Sequence, residues 1–127
     1  MYEVEIDYAK HLLSNIKSAF KRGKEFSESR DIGMMRSYCY DIEDWVLKIN
    51  KIFDMVRSNL GIMDCARHDF EGIERKKYEH AYYMQRYQEI MRDVNKIGCI
   101  LHDAEKKEEE LRRLINVLED SEEELGA

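Results

Sequence analysis

The absence of proline is the sequence feature that most restricts the fold of this chain, since none of its 127 residues is a proline. Proline ends or kinks helices because it lacks a backbone N–H and clashes with the preceding turn. A chain without proline can form long uninterrupted helices, and a charged fraction of 38% is typical of long helices and coiled coils. We therefore predict an all-α protein, an antiparallel helical bundle of three long helices in a single domain, with an extended C-terminal helix.

Two stretches near the N-terminus have apolar residues every three or four positions, as on the buried face of a helix. They predict helix 1 over about residues 3–29 and helix 2 over about residues 32–60. The polar segment between them contains Ser29 and Asp31, and either side chain can accept a hydrogen bond from the first turn of helix 2. The short connection predicts that helices 1 and 2 are antiparallel neighbours.

Helix 3 is predicted over about residues 64–122. Gly61 suits the left-handed position that ends a helix, and Asp64 suits the cap of the next helix. The apolar stripe keeps its phase through Gly98, which favours one continuous helix. The alternative is a break near residues 98–103, which would give a closed bundle of four helices.

A continuous helix 3 would be about twice as long as helix 1 or helix 2. The apolar seam on its distal half would then have nothing in its own chain to cover it. This length mismatch predicts a homodimer or a different partner protein.

The formal charge of −6 is concentrated in the C-terminal segment. Residues 1–102 contain 17 acidic and 17 basic side chains, whereas residues 103–127 contain 10 acidic and 4 basic ones. A neutral body does not favour general nucleic-acid binding, which relies on basic surfaces. One basic stripe lies on helix 1 and consists of Lys10, Lys17, Lys21, Arg22 and Lys24. It predicts a nucleic-acid contact through Lys17, Lys21, Arg22 and Lys24 as a third candidate function.

The sequence predicts a cytoplasmic protein without cofactor, metal or membrane contact. The three cysteines form no C-x-x-C pair, which is typical of small core residues in a reducing compartment. The first residues lack the basic and apolar regions of a signal peptide, and no segment has the ~20 apolar residues that cross a bilayer. Neither a Glu-x-x-His pair nor a glycine-rich phosphate loop occurs.

The segment RKKYEHAY, residues 75–82, contains Arg75, His80 and Tyr82. This pattern resembles the R-x4-6-H motif of HEPN ribonucleases and, with the tyrosine, the R-x4-H-x-Y form of their toxin branch. The resemblance implies a small helical dimer in which both protomers contribute to one RNA-cleaving cleft. In such a cleft Arg75 would bind phosphate and His80 would act as acid or base, roles that suit guanidinium and imidazole groups.

A different interpretation follows if residues 75–89 lie on one helix. His80 then belongs to the apolar stripe, and five other side chains share the opposite side. Tyrosine and arginine are enriched at binding hot spots because they bury large areas and still satisfy their polar ends. We favour this interpretation, a non-enzymatic binding, adaptor or inhibitor protein of the kind that microbial or phage accessory genes encode. The predicted contact face is Arg75, Tyr78, Tyr82, Arg86 and Glu89.

Overall fold

The computed structural model describes residues 1–71 and 77–126, and the side chains of residues 1–61 and 81–123. Within this part of the chain there are three α-helices and no strands. They are α1 (Glu3–Glu28), α2 (Ile32–Glu71) and α3 (Lys77–Gly126). The predicted all-α bundle with an extended last helix is confirmed.

The turn between α1 and α2 is made by three residues with different roles. Ser29 donates its hydroxyl to the Phe26 carbonyl oxygen at 3.1 Å, so it belongs to the end of α1. Arg30 has a left-handed backbone with φ of 58° and reverses the chain. Asp31 then accepts a hydrogen bond from the Met34 backbone N–H at 3.2 Å, which makes it the cap of α2.

Contacts at opposite ends show that α1 and α2 are antiparallel. At the turn, the rings of Phe26 and Tyr38 stack with centroids 6.0 Å apart. At the far end, Asn59 Nδ2 donates to Tyr2 Oη at 2.6 Å. The short connection therefore places the two helices side by side, as its length predicts.

α3 runs antiparallel to α2 and parallel to α1. Its C-terminal half pairs with the beginning of α2, where Arg112 Nη2 lies 2.6 Å from Glu43 Oε1. Nearer its middle, Gly98 lies against the ring of Phe53. The three helices share one apolar core, in which burial of each large side chain contributes about 1.5–3 kcal/mol. The largest fully buried side chains are Ile16, Met35, Ile42, Ile49, Val56, Ile97 and Leu111.

The predicted boundary between helix 2 and helix 3 is wrong. α2 does not end near Leu60 but continues to Glu71, and both Gly61 and Asp64 lie within it. Gly61 has no positive φ, so it is a helical residue and not a left-handed cap. The continuous form of helix 3 is confirmed, because α3 passes through Gly98 without a break, although it begins at Lys77.

The greater length of α2 changes the argument for a dimer. Because α2 is 40 residues long, it lies beside most of α3. The distal apolar side chains Leu111 and Ile115 are buried within the chain itself. The predicted uncovered seam is therefore wrong, and a second protomer is not needed to cover it.

Candidate partner-binding face of α3

The N-terminus of α1 is fixed at one level of the bundle by two polar contacts. The backbone N–H of Tyr2 donates to Asp93 Oδ2 at 3.1 Å, and the Tyr2 hydroxyl accepts from Asn59. The carboxylate of Asp93 is thus a cap supplied by another helix to the first turn of α1. Since α1 and α3 are parallel, the part of α3 before Glu89 extends past the first turn of α1.

Three of the side chains predicted to form the contact face lie together on this extension. Tyr82, Arg86 and Glu89 are spaced four and three residues apart, so they share one side of α3. The Tyr82 side chain is 63% exposed. Arg86 Nη1 lies 4.0 Å from Glu89 Oε2, which forms an ion pair beside the tyrosine.

The same side of α3 is covered by α1 further along the helix. Asp93, Ile100, Ala104 and Leu111 follow at intervals of four and seven residues, which keeps them on the same side of the helix, and all four are buried. Leu111 lies directly against Gly23 of α1. Tyr82, Arg86 and Glu89 are therefore in line with a buried stripe that α1 covers, and not on the side away from the apolar stripe as the sequence predicted. Glu89 borders the first turn of α1, and Tyr82 and Arg86 lie beyond it.

The remaining predicted site residues lie outside the described residues or side chains. Arg75 falls in the interval between α2 and α3 that the structure does not describe. Tyr78 and His80 lie within the range of α3, and their side chains are outside the described part. Of the ribonuclease pattern, only Tyr82 has a described side chain.

The basic stripe of helix 1 is exposed along α1. Basic side chains of α3 lie near it. Lys24 Nζ lies 6.0 Å and Lys107 Nζ 4.5 Å from the centroid of the Phe20 ring. Near the other end of α1, Lys10, Arg92 and Lys96 border one groove of about 490 Å³. These α3 cations could not be assigned to the stripe from sequence, because about 80 residues separate them from α1.

A polar cluster between α2 and α3 was not predicted from the sequence. Arg112 Nη2 lies 2.6 Å from both Glu43 Oε1 and Glu108 Oε1. The Sγ atom of buried Cys39 is 4.0 Å from Glu43 Oε1. No sequence signal identifies this cluster, since its residues come from positions far apart in the chain.

Three groups in this cluster, Cys39, Glu108 and Arg112, have raised pKa values. Burial raises the pKa of Cys39, and the neighbouring Glu43 carboxylate raises it further. Burial also raises the pKa of Glu108, although Arg112 opposes that change. A hydrogen bond to Glu43 raises the pKa of Arg112. A protonated thiol is a poor nucleophile, so the cluster is suited to joining helices and not to covalent catalysis.

Neither a metal-binding cluster nor a membrane-spanning helix occurs in the described part of the chain. No group of His, Cys, Asp and Glu side chains there is arranged to hold a metal ion. No described helix is long and apolar enough to cross a membrane. Comparison of the chain with models of protein families, with curated proteins and with solved structures found no match.

Proposed function

We propose that the protein is a binding module, an adaptor or inhibitor, that places the Tyr82–Arg86–Glu89 face of α3 against another protein. One observation carries this proposal: the face is in line with the stripe that α1 covers, and the first turn of α1 lies at the level of Asp93, so Tyr82 and Arg86 extend beyond it. A stripe with helix-docking spacing that is open at one end offers a position for a helix from a partner.

The chemistry of the face indicates the kind of helix that would fit. The exposed ring of Tyr82 offers a large apolar surface with a hydroxyl at its end, and Arg86 offers a planar group of donors. The Arg86–Glu89 pair presents both charges side by side. The matching partner is an amphipathic helix with an apolar residue to cover Tyr82 and polar residues at its edge.

The proposal includes a cytoplasmic location and an origin as a microbial or phage accessory protein. Cys39 and Cys99 are free thiols, which suits a reducing compartment. An inhibitor of this size acts by covering the surface of its target, so it needs a contact face and no catalytic group.

The test compares Tyr82→Ala with Tyr40→Ala as a matched control, because Tyr40 is 65% exposed on the outer side of α2. Tagged wild-type and variant proteins are recovered from cells of the source organism, and the co-purified proteins are quantified by mass spectrometry. The expected result is one protein retained by wild type and by Tyr40→Ala and lost with Tyr82→Ala. With that protein purified, Tyr82→Ala should weaken affinity by about tenfold or more. Equal recovery with all three chains would contradict the proposal, provided their circular dichroism and melting temperatures agree.

The ribonuclease alternative makes a different prediction. It requires RNA cleavage by the purified protein and its loss in His80→Ala. Cleavage by wild type that persists in Tyr40→Ala and is lost in His80→Ala would favour the enzyme over the binding module. Absence of cleavage by the wild-type protein would leave the binding module as the better interpretation.

A further inference from the structure

The outer side of α3 carries a second regular pattern, separate from the face proposed above. Exposed side chains recur at alternating intervals of three and four residues from Lys96 to Asp120. At about 100° per residue, these positions lie on the side of α3 opposite to buried Ile97 and Ile115. This outer stripe consists of Lys96, Cys99, Asp103, Lys106, Glu110, Arg113, Val117 and Asp120. An alternation of three and four is the spacing by which two helices pack along their length.

The order of charges along the outer stripe is reversed about its middle. Each position of the outer stripe has a counterpart the same number of residues away on the other side of position 108. Each charged residue has a counterpart of opposite charge. The charged counterparts are Lys96 with Asp120, Asp103 with Arg113, and Lys106 with Glu110. The remaining counterparts, Cys99 and Val117, are both uncharged, and Val117 is 59% exposed.

The charges of the outer stripe are free of ion pairs within the described part of the chain, although pairs form elsewhere on α3. Arg36 pairs with Glu119, and Arg112 pairs with Glu43 and Glu108. The middle of the outer stripe also borders a surface depression of about 370 Å³, lined by Lys106, Glu109, Glu110 and Arg113. The stripe therefore presents unpaired charges of both signs, in an order that a reversed copy of itself would complement.

We infer that α3 pairs with α3 of a second copy of this chain, antiparallel along the outer stripe, with a twofold axis that crosses the stripe midway between Lys106 and Glu110. In that register every charged counterpart forms two symmetric ion pairs across the interface, and Cys99 lies beside Val117 of the second copy. A parallel arrangement in register would instead place each charge against itself. The twofold arrangement closes on two chains, because both use the same surface.

The strength of this dimer follows from its composition. Exposed ion pairs each contribute little and are screened by salt. The dimer is therefore reversible and depends on ionic strength and protein concentration. It does not use Tyr82, so Tyr82→Ala should leave the mass unchanged, and failure of the dimer leaves the binding function proposed above unaffected.

The first measurement is the solution mass by light scattering at increasing protein concentration. At about 0.01 M salt, where screening is weak, the mass should rise from the protomer value of 15.3 kDa towards twice that value. At about 1 M salt it should return to 15.3 kDa. A protein that stays at the protomer mass at low salt and high concentration would overturn the inference.

A charge swap tests the register. In Lys106→Glu, the new glutamate of each copy lies opposite Glu110 of the other copy, so two pairs of like charges form across the interface. This change should reduce the dimerisation constant by about tenfold or more. Adding Glu110→Lys restores opposite charges and should restore the wild-type mass profile. Neither residue is buried or paired in the described part of the chain, so both variants should fold. A dimer that survives Lys106→Glu, or that the double variant fails to recover, would contradict the arrangement.

A disulfide tests the direction of the helices. Cys99 and a cysteine at position 117 are about 27 Å apart within one helix, too far for an internal bond. Val117→Cys should therefore give an oxidised dimer in which peptide mapping finds Cys99 joined to position 117. Asn116→Cys is the control, since this exposed position points about 100° away around the helix. Equal crosslinking by the control, or a predominant bond between the two copies of position 117, would overturn the antiparallel pairing.

Discussion

Gly23 of α1 and Leu111 of α3 approach so closely that even a methyl group on Gly23 would require Leu111 to shift by a few tenths of an ångström. A Cβ atom on Gly23 would lie 3.1 Å from both methyl carbons of Leu111 and 3.6 Å from Tyr38 Cβ. Leu111 is fully buried at this point. The missing side chain of Gly23 therefore sets the distance between α1 and the distal half of α3, the half whose seam the sequence predicted to be uncovered.

Gly23→Ala is expected to destabilise the protein although alanine favours helices. The higher helix propensity of alanine stabilises the folded protein by about 1 kcal/mol, whereas overpacking a buried contact destabilises it by about 1–3 kcal/mol. Urea denaturation should show a net loss of about 1 kcal/mol in the free energy of unfolding. Combined with Leu111→Val, which removes one methylene group, Gly23→Ala should cost less than it does alone. Equal costs in the two backgrounds would show that the two residues do not determine each other's packing.

Gly61→Ala is expected to have the opposite effect. Gly61 is exposed within α2, and a Cβ atom there would have no neighbour within 4 Å. Alanine should therefore stabilise the protein by about 1 kcal/mol in the same denaturation experiment. The direction of the stability change is informative, because replacing a left-handed glycine at the end of a helix by alanine would destabilise the protein. A loss of stability would favour the turn predicted from sequence over the continuous α2.

The two glycines show which parts of the fold the sequence could predict. Periodic apolar residues identified the three helices and the continuity of α3, because each pattern is local. Gly61 followed by an apolar residue has the pattern of a helix end, yet α2 continues through it to Glu71. Glycine is compatible with both a left-handed cap and a helix interior, so the local pattern does not decide between the two.

The candidate site was predictable to the extent that helical phase decides it. Tyr82, Arg86 and Glu89 share one side of α3, as their spacing predicts, but that side is in line with buried Asp93 and Leu111 and not opposite to the apolar stripe. The phase does not reveal that α1 begins beside Asp93, since that depends on the hydrogen bond from Tyr2. Arg75, Tyr78 and His80 stay predictions, because their side chains lie outside the described part of the chain.

Glu108 should make an unusual contribution to the pH dependence of stability. Burial raises its pKa in the folded protein above the ordinary value. Between those two pKa values the folded chain binds the proton more than the unfolded chain does, so the contribution of Glu108 to stability falls as pH rises. A glutamine at this position is neutral at every pH and lacks this dependence. The difference in stability between Glu108→Gln and wild type, measured by urea denaturation from about pH 4 to about pH 7, should therefore shift in favour of the variant. A shift in favour of wild type would show that Arg112 outweighs burial at this carboxylate.

Cys39 and Cys99 should differ in reactivity. Cys39 is buried, and burial together with Glu43 raises its pKa, so little thiolate is present near neutral pH. Cys99 is exposed on the outer stripe of α3. With iodoacetamide at about pH 8, peptide mass analysis should show Cys99 alkylated at least about tenfold faster than Cys39. In denaturing urea the two rates should become similar, because the burial that separates them is lost. Equal rates in the folded protein would mean that Cys39 is accessible and that the packing of α2 against α3 opens readily.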